Sequence, residues 1–270
     1  MAGAIELASG NVLRIDAHGR PQPAKMGAAI RRGDTLVTGK DGELHVRLSD
    51  DSVLALRAQT RIELTAYRHH QRDDDTSVVT LAYGALRAIS GWIGRRTPDA
   101  VRVKTPTAVI GIRGTDHETV VLLPDSPLGD SGTYDKVNHG ATYLETAHGC
   151  IDLTPGQAGY AAPGKVPVVL PSVPDFFRPT ANEERLEGLH ERFWRNAGKV
   201  SGSRYGTAAA SATGNGGKAA NAGAADTMKG GKTTTIQGNT RLGARGGGLS
   251  ATATGNENTS TNRVGAVGGQ

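Results

Sequence analysis

Acidic, imidazole and guanidinium groups crowd into one short stretch: Arg113 is followed closely by Asp116, His117 and Glu118, and His139 and His148 lie further along. Two carboxylates and an imidazole are groups that can hold a divalent metal or exchange protons with a substrate. Their surroundings argue against convergence. Val101–Leu123 reads VRVKTPTAVIGIRGTDHETVVLL, dense in β-branched residues and therefore strand apart from the Thr105-Pro106 break. On a strand Asp116 and Glu118 face one way and His117 the other. No HxH, HExxH or CxxC accompanies them, and a cluster without ligand spacing is a weak pointer. Asp73–Asp75 lacks EF-hand spacing, and no glycine-rich phosphate loop precedes a helix. Cys150, the single cysteine, sits between Gly149 and Ile151 as a strand thiol and excludes an internal disulfide. The sequence therefore predicts no catalytic residue, no metal site and no cofactor.

Arg113 carries a different expectation. It stands between Ile112 and Gly114, at a tight corner where two strands meet. A lone guanidinium is too costly to bury, so an interior Arg113 requires a carboxylate partner, and Asp34 and Asp51 are the candidates. The alternative is an exposed Arg113 that reads an acidic ligand.

The same corner carries a family resemblance. Thr105-Pro106 followed by Gly111-Ile112-Arg113-Gly114-Thr115 resembles the signature of the FecR-type domain, named after a bacterial regulator of iron-citrate uptake. Gly33-Asp34-Thr35-Leu36-Val37-Thr38 and Leu48-Ser49-Asp50-Asp51-Ser52-Val53-Leu54 are similar to the family's other two blocks, in order and at familiar spacing. The resemblance covers roughly residues 10 to 125, more loosely to about 180, and makes Asp34, Asp51, Arg113, Gly114 and Thr115 its structural signature. It departs from the pattern at His117, where many members carry a large apolar residue. The resemblance implies a periplasmic signalling module that binds a protein partner, as in systems that relay occupancy of an outer-membrane receptor to a sigma factor. No apolar run here is long enough for a membrane span, so the transmembrane relay itself is not carried over.

The elements that position these residues read as short strands. Glu43–Leu48 alternates, with Leu44, Val46 and Leu48 on a dry face and Glu43, His45 and Arg47 on a wet one. Arg68–Asp75 reads as a solvated loop, Ser77–Tyr83 and Gly84–Ile89 as a strand continuing towards Trp92-Ile93, and Pro124–Lys136 as a long loop. Glycine turns at this spacing, with no helix before about residue 180, predict an all-β domain over 1–179: an antiparallel sandwich, jelly roll or short β-roll. One amphipathic helix is expected over 180–197, opened by a Thr180/Glu183 capping box, with Leu186, Leu189, Phe193 and Ala197 on one face. The plainer role for it is packing on the β domain; the sharper one is docking, with Phe193 and Trp194 as anchors in a partner groove.

Composition changes after the helix. From residue 197 the chain holds 18 of the 38 glycines, with 8 Lys+Arg against 2 Asp+Glu, whereas residues 1–196 carry 23 against 24. The stretch 198–270, rich in Gly, Ala, Thr and Asn, is expected to be a disordered tail, since it offers too little apolar surface to offset ordering entropy. The basic character belongs to that tail, so nucleic acid is not expected as the folded domain's partner. Met1-Ala2-Gly3 resembles the end of a signal-peptidase site, which points to a periplasmic or exported protein. The function expected is a non-enzymatic interaction module with an envelope protein partner. A glycan is the alternative partner, with Trp92, Tyr83, Tyr143 and Tyr160 as stacking platforms.

Overall fold

In the computed structural model, which describes residues 1–192, the alternating and β-branched segments become strands, seventeen among the described residues. The first eight are β1 (Gly3–Ser9), β2 (Val12–Ile15), β3 (Pro21–Pro23), β4 (Ala29–Ile30), β5 (Thr35–Thr38), β6 (Glu43–Leu48), β7 (Val53–Leu56) and β8 (Arg61–Arg68). A long β9 (Thr76–Ile89) leads into the five-residue helix α1 (Trp92–Arg96). Then come β10 (Val101–Lys104), β11 (Val109–Ile112), β12 (Asp116–Leu122), β13 (Gly132–His139), β14 (Thr142–Thr146), β15 (Gly149–Leu153), β16 (Ala158–Ala161) and β17 (Val168–Val169).

All pairings are antiparallel except that of β9 with β10. One layer runs β4-β1-β6-β7-β9-β12-β13-β16-β17. The other runs β3-β2-β5-β8-β9-β10-β11-β14-β15. β9 belongs to both: Thr76–Tyr83 pairs with β8 and β10, and Gly84–Ile89 with β7 and β12. Gly84 makes the crossing possible, since φ is +96° there and a Cβ would meet the Gln59 and Thr60 backbone at 2.5 Å. The all-β expectation holds, and of the architectures left open the sandwich is observed. Its core draws on both layers, with Ile5, Leu44, Leu56 and Leu86 from the first and Leu36, Ile62, Leu81 and Ile110 from the second. The two prolines of β3 fit because that strand pairs on one side only, with β2.

Three local expectations are corrected. The chain does not stay extended through Trp92, because the Trp92 amide donates to the Asp50 carbonyl (2.7 Å) and α1 begins there, a contact 42 residues away that local propensity does not encode. Asp75 is not solvated: it is buried and accepts from the amides of His70 (2.7 Å) and Arg72 (3.0 Å), stapling its own loop. The segment after Thr180 is not one continuous helix. Thr180 Oγ1 does accept from the Glu183 amide (3.1 Å), but Glu183–Leu186 is a 3₁₀ turn. Gly188 at φ +69° then breaks it, and helical backbone resumes at 189–192. The tail, and Phe193 and Trp194 with it, lie outside the described residues.

Candidate functional site

Period-2 alternation splits the first layer into an inner and an outer face. Leu54, Leu56, Leu86, Ala88 and Val121 point into the core. The outer face carries an apolar zone of Val53, Ala55 and Ile89, and a second of Val120, Leu122, Tyr134 and Ala158. Between the two zones the outward positions are ionic: Arg57, Arg87, Asp116, Glu118 and Lys136. Residues 170–190 lie across this face as a strap, seating Phe177 in one apolar zone and Leu186 in the other. The face expected to be wet is thus covered. Even His45, opposite the dry side of β6, is buried beside Glu43, whose carboxylate accepts from Thr180 (2.6 Å) and Asn182 (2.7 Å) of the strap.

The ionic belt closes on itself. Arg87, 2% exposed, grips Asp116 with two parallel bonds, Nε to Oδ1 at 2.9 Å and Nη2 to Oδ2 at 2.6 Å, and reaches Glu187 of the strap at 2.9 Å. Arg57 holds the strap's Glu183 through Nε (2.9 Å) and Nη2 (2.6 Å), and also bonds Glu118. Lys136 Nζ lies 2.9 Å from Glu118, and Asn138 donates to both Asp116 and Glu118. Burial works against the charge on both arginines. For Arg57, bonds and charge from Glu183 and then Glu118 outweigh it and raise the pKa above the ordinary arginine value; for Arg87, Asp116 and then Glu187 do the same.

Asp116 and Glu118 therefore share a face, as alternation requires, and His117 points the other way. There it enters the core: its Nδ1 lies 2.8 Å from Asp135 Oδ1, and Asp135 also accepts from Thr119 (2.9 Å) and Thr142 (2.7 Å). All four residues are at most 1% exposed, and His117 Nε2 has no hydrogen-bond partner among the described residues. No group of three His, Cys, Asp or Glu side chains able to hold a metal occurs among the described residues. Cys150 is exposed on β15; slight burial, followed by Asp152 and Glu145, pushes its thiol pKa up, against Arg113.

Arg113 is not the buried fastener. Its side chain is 51% exposed and faces Asp99 at 3.8 Å and Asp152 at 3.7 Å, not Asp34 or Asp51. The reason lies in its neighbours. Ile110 and Ile112 point into the core, so alternation sends Gly111 and Arg113 outward. The Tyr143 ring lies over Gly111, and the Arg113 guanidinium sits 5.5 Å from that ring. Gly114, at φ +66°, then turns the chain so that Thr115 goes inward, its amide 2.9 Å from Ser90 Oγ. Asp34 is buried, accepting from the Arg31 amide (2.9 Å) with Arg14 at 3.7 Å. Asp51 is exposed at φ +65°, and its neighbour Asp50 is the buried one, bonded to Tyr67, Ser52 and the Ile93 amide.

The charged groups that do lock remote segments, Arg57 and Arg87, are ones that sequence reasoning passed over. The available signal was ionic residues at outward positions of otherwise apolar strands. The four aromatics considered for stacking are dispersed: Tyr143 on β14, Tyr160 on β16 stacked on Tyr134 at 4.4 Å, Tyr83 on β9 and Trp92 on α1. Trp92, 39% exposed, borders a cavity of about 410 Å³ with His69, Gln71, Asp75 and Arg96.

Residues 34–133 match the family described as FecR protein, so the resemblance carried by the three sequence blocks stands over that span. No curated protein matches the chain. Two crystal structures from Parabacteroides distasonis ATCC 8503, both provisionally assigned as anti-sigma factors, align with it. One, at 2.50 Å resolution, is 16% identical with a TM-score of 0.40, over 50% of this chain and 58% of its own. The other, at 1.65 Å, is 15% identical with a TM-score of 0.42, over 60% and 74%. The chain thus spans little more than half the length of the first. Among the described residues, no helix is long and apolar enough to cross a membrane.

Proposed function

We propose, starting from the FecR domain at residues 34–133, that this protein is a signalling module of the bacterial cell envelope that acts by holding a protein partner and not by catalysis. The family match is the observation that carries the reading. Two physical features support it. The carboxylates that might act as bases are committed: Asp116 and Glu118 to Arg87, Arg57 and Lys136, and Asp135 to His117 and two threonines. The single thiol is shifted away from the thiolate that would make it a nucleophile. The module works without a cofactor, and its near-neutral folded part does not take nucleic acid as a partner.

Export to the periplasm belongs to the same reading, and fractionation of the protein expressed at its natural level tests it; recovery with the cytosol removes the envelope. Ala2, taken from sequence as the residue before a cleavage, is a core residue whose amide donates to Ile30 (2.8 Å). The partner is tested by affinity capture from an envelope extract, set beside a glycan array. A saturable protein complex is the expected result. A second reading, glycan binding, is favoured by the cavity at Trp92, where an exposed indole meets His69, Gln71 and Arg96. Array binding that Trp92→Ala abolishes would replace the first reading with this one.

A further inference from the structure

We propose that the outer face of the first layer is a docking groove for an acidic, aromatic-bearing segment of a protein partner, and that the strap at residues 170–190 occupies this groove as an internal surrogate. The inference rests on the protein-partner reading above and names where and what that partner binds.

The groove is defined by what it would present uncovered. Its middle holds three cations, Arg57, Arg87 and Lys136, against two carboxylates, Asp116 and Glu118. That leaves the belt one negative charge short, and the strap brings two, on buried Glu183 and half-exposed Glu187. On one side, Phe176 and Phe177 fill the zone of Val120, Leu122 and Tyr134, with Phe176 edge-on to Tyr134 at 5.1 Å. On the other, Leu186 fills the zone of Val53, Ala55 and Ile89. An occupant therefore needs an aromatic anchor, carboxylates in the middle and an aliphatic anchor at the far end. Arginine forks select carboxylates by geometry as well as by charge.

The strap is attached in a way that allows exchange. Among the described residues, every backbone–backbone hydrogen bond of 171–192 stays within that segment, so after Leu170 each bond to the sheet has a side chain on at least one end, including those from Arg57 to the Phe176 carbonyl (3.3 Å) and from Arg87 to the Glu183 carbonyl (3.4 Å). It contains Pro171, Pro174 and Pro179, short 3₁₀ turns, and the left-handed Gly188. Glu187, which meets Arg87, is 59% exposed. Beside it an open cavity of about 370 Å³ reaches Arg87, Glu118, Lys136 and His139, giving an incoming carboxylate access to the belt before the strap has left.

The test uses the full chain and a fluorescently labelled synthetic peptide of residues 171–191. Wild type, Glu187→Gln and Glu183→Gln/Glu187→Gln are titrated with the peptide, with circular dichroism reporting the fold and hydrogen exchange reporting strap opening. The double variant is expected to bind the peptide roughly tenfold more tightly than wild type, because a larger fraction of its grooves is open; the single variant falls between. A peptide with Glu183 and Glu187 changed to lysine is expected not to bind. Should the double variant lose its fold, Glu187→Gln still decides, since it alters a half-exposed side chain. Exchange protection of the strap unchanged in both variants, or an opened strap with no peptide binding, would overturn the proposal. Envelope protein captured equally well in the presence of saturating peptide would keep the partner and overturn the groove. Peptide binding without any captured protein would keep the groove and remove the envelope partner.

Discussion

Arg87→Ala removes a guanidinium that is 2% exposed and serves three acceptors: Asp116 through two bonds, Glu187, and the Glu183 carbonyl at 3.4 Å. Among the described residues, Asp116, equally buried, would keep only the Asn138 side chain, at 3.2 Å, as a hydrogen-bond donor to its carboxylate. Removing one partner of a buried ion pair costs about 3–5 kcal/mol, mostly from the charge left behind. For a domain near this size that is a fall in Tm of roughly 6–20 °C. Arg113→Ala is the control. That side chain is half-exposed, with acids no nearer than 3.7 Å, and such surface pairs contribute about 0–1 kcal/mol. Urea unfolding followed by far-UV circular dichroism measures both. The paired replacement Arg87→Met/Asp116→Leu is expected to lose less than Arg87→Ala, because an apolar pair strands no charge. Stability of Arg87→Ala within about 1 kcal/mol of wild type would refute the placement of the belt, as the threshold sits well below the buried-pair cost. So would a larger loss from Arg113→Ala.

Other outcomes follow from single contacts. Gly91→Ala is expected to cost about 1–3 kcal/mol in the same assay, since its Cβ would fall 2.0 Å from the Asp50 carbonyl and force apart the turn that starts α1. Thr142→Val, which removes the hydroxyl 2.7 Å from buried Asp135 Oδ2, should cost about 1–3 kcal/mol. His190 stacks on His139 at 5.4 Å and lies 3.3 Å from the Gly114 carbonyl. Burial, aided by His139, holds its pKa below 6.5, with Gly114, Asp116 and Glu191 opposing. The opened state therefore takes up the proton more readily. The stability His190 contributes is complete above pH 6.5 and is lost as the pH falls through the lower folded value. Corrected for the intrinsic slowing of amide exchange at lower pH, the protection of residues 186–190 should fall as the pH drops below 6.5 in wild type, and less so in His190→Gln, which lacks the titrating ring.

The strands were legible because their causes are local. Leu44, Val46 and Leu48 face the core as alternation demands, and the opposed directions of His117 and Glu118 follow from the same period. What was hidden depends on distance along the chain. Arg57 meets Glu183 across 126 residues, and Arg87 meets Glu187 across 100, so no window of sequence shows that these outward positions are covered. Arg113 was a different failure. Its apolar neighbours suggested an interior, yet Ile110 and Ile112, two residues apart, already assigned the inward side and left Arg113 the outward one. The RGT corner thus owes its tightness to Gly114 and Thr115.

β9 has a mechanical consequence. Its fourteen residues, roughly 45 Å of extended backbone, form a tie-rod from Thr76, next to Asp75 of the Trp92 cavity, to the belt at Arg87. Because one continuous strand serves both layers, they are joined covalently at its middle. A load applied at the rod's start reaches the ionic belt along a single backbone that bends once, at Gly84.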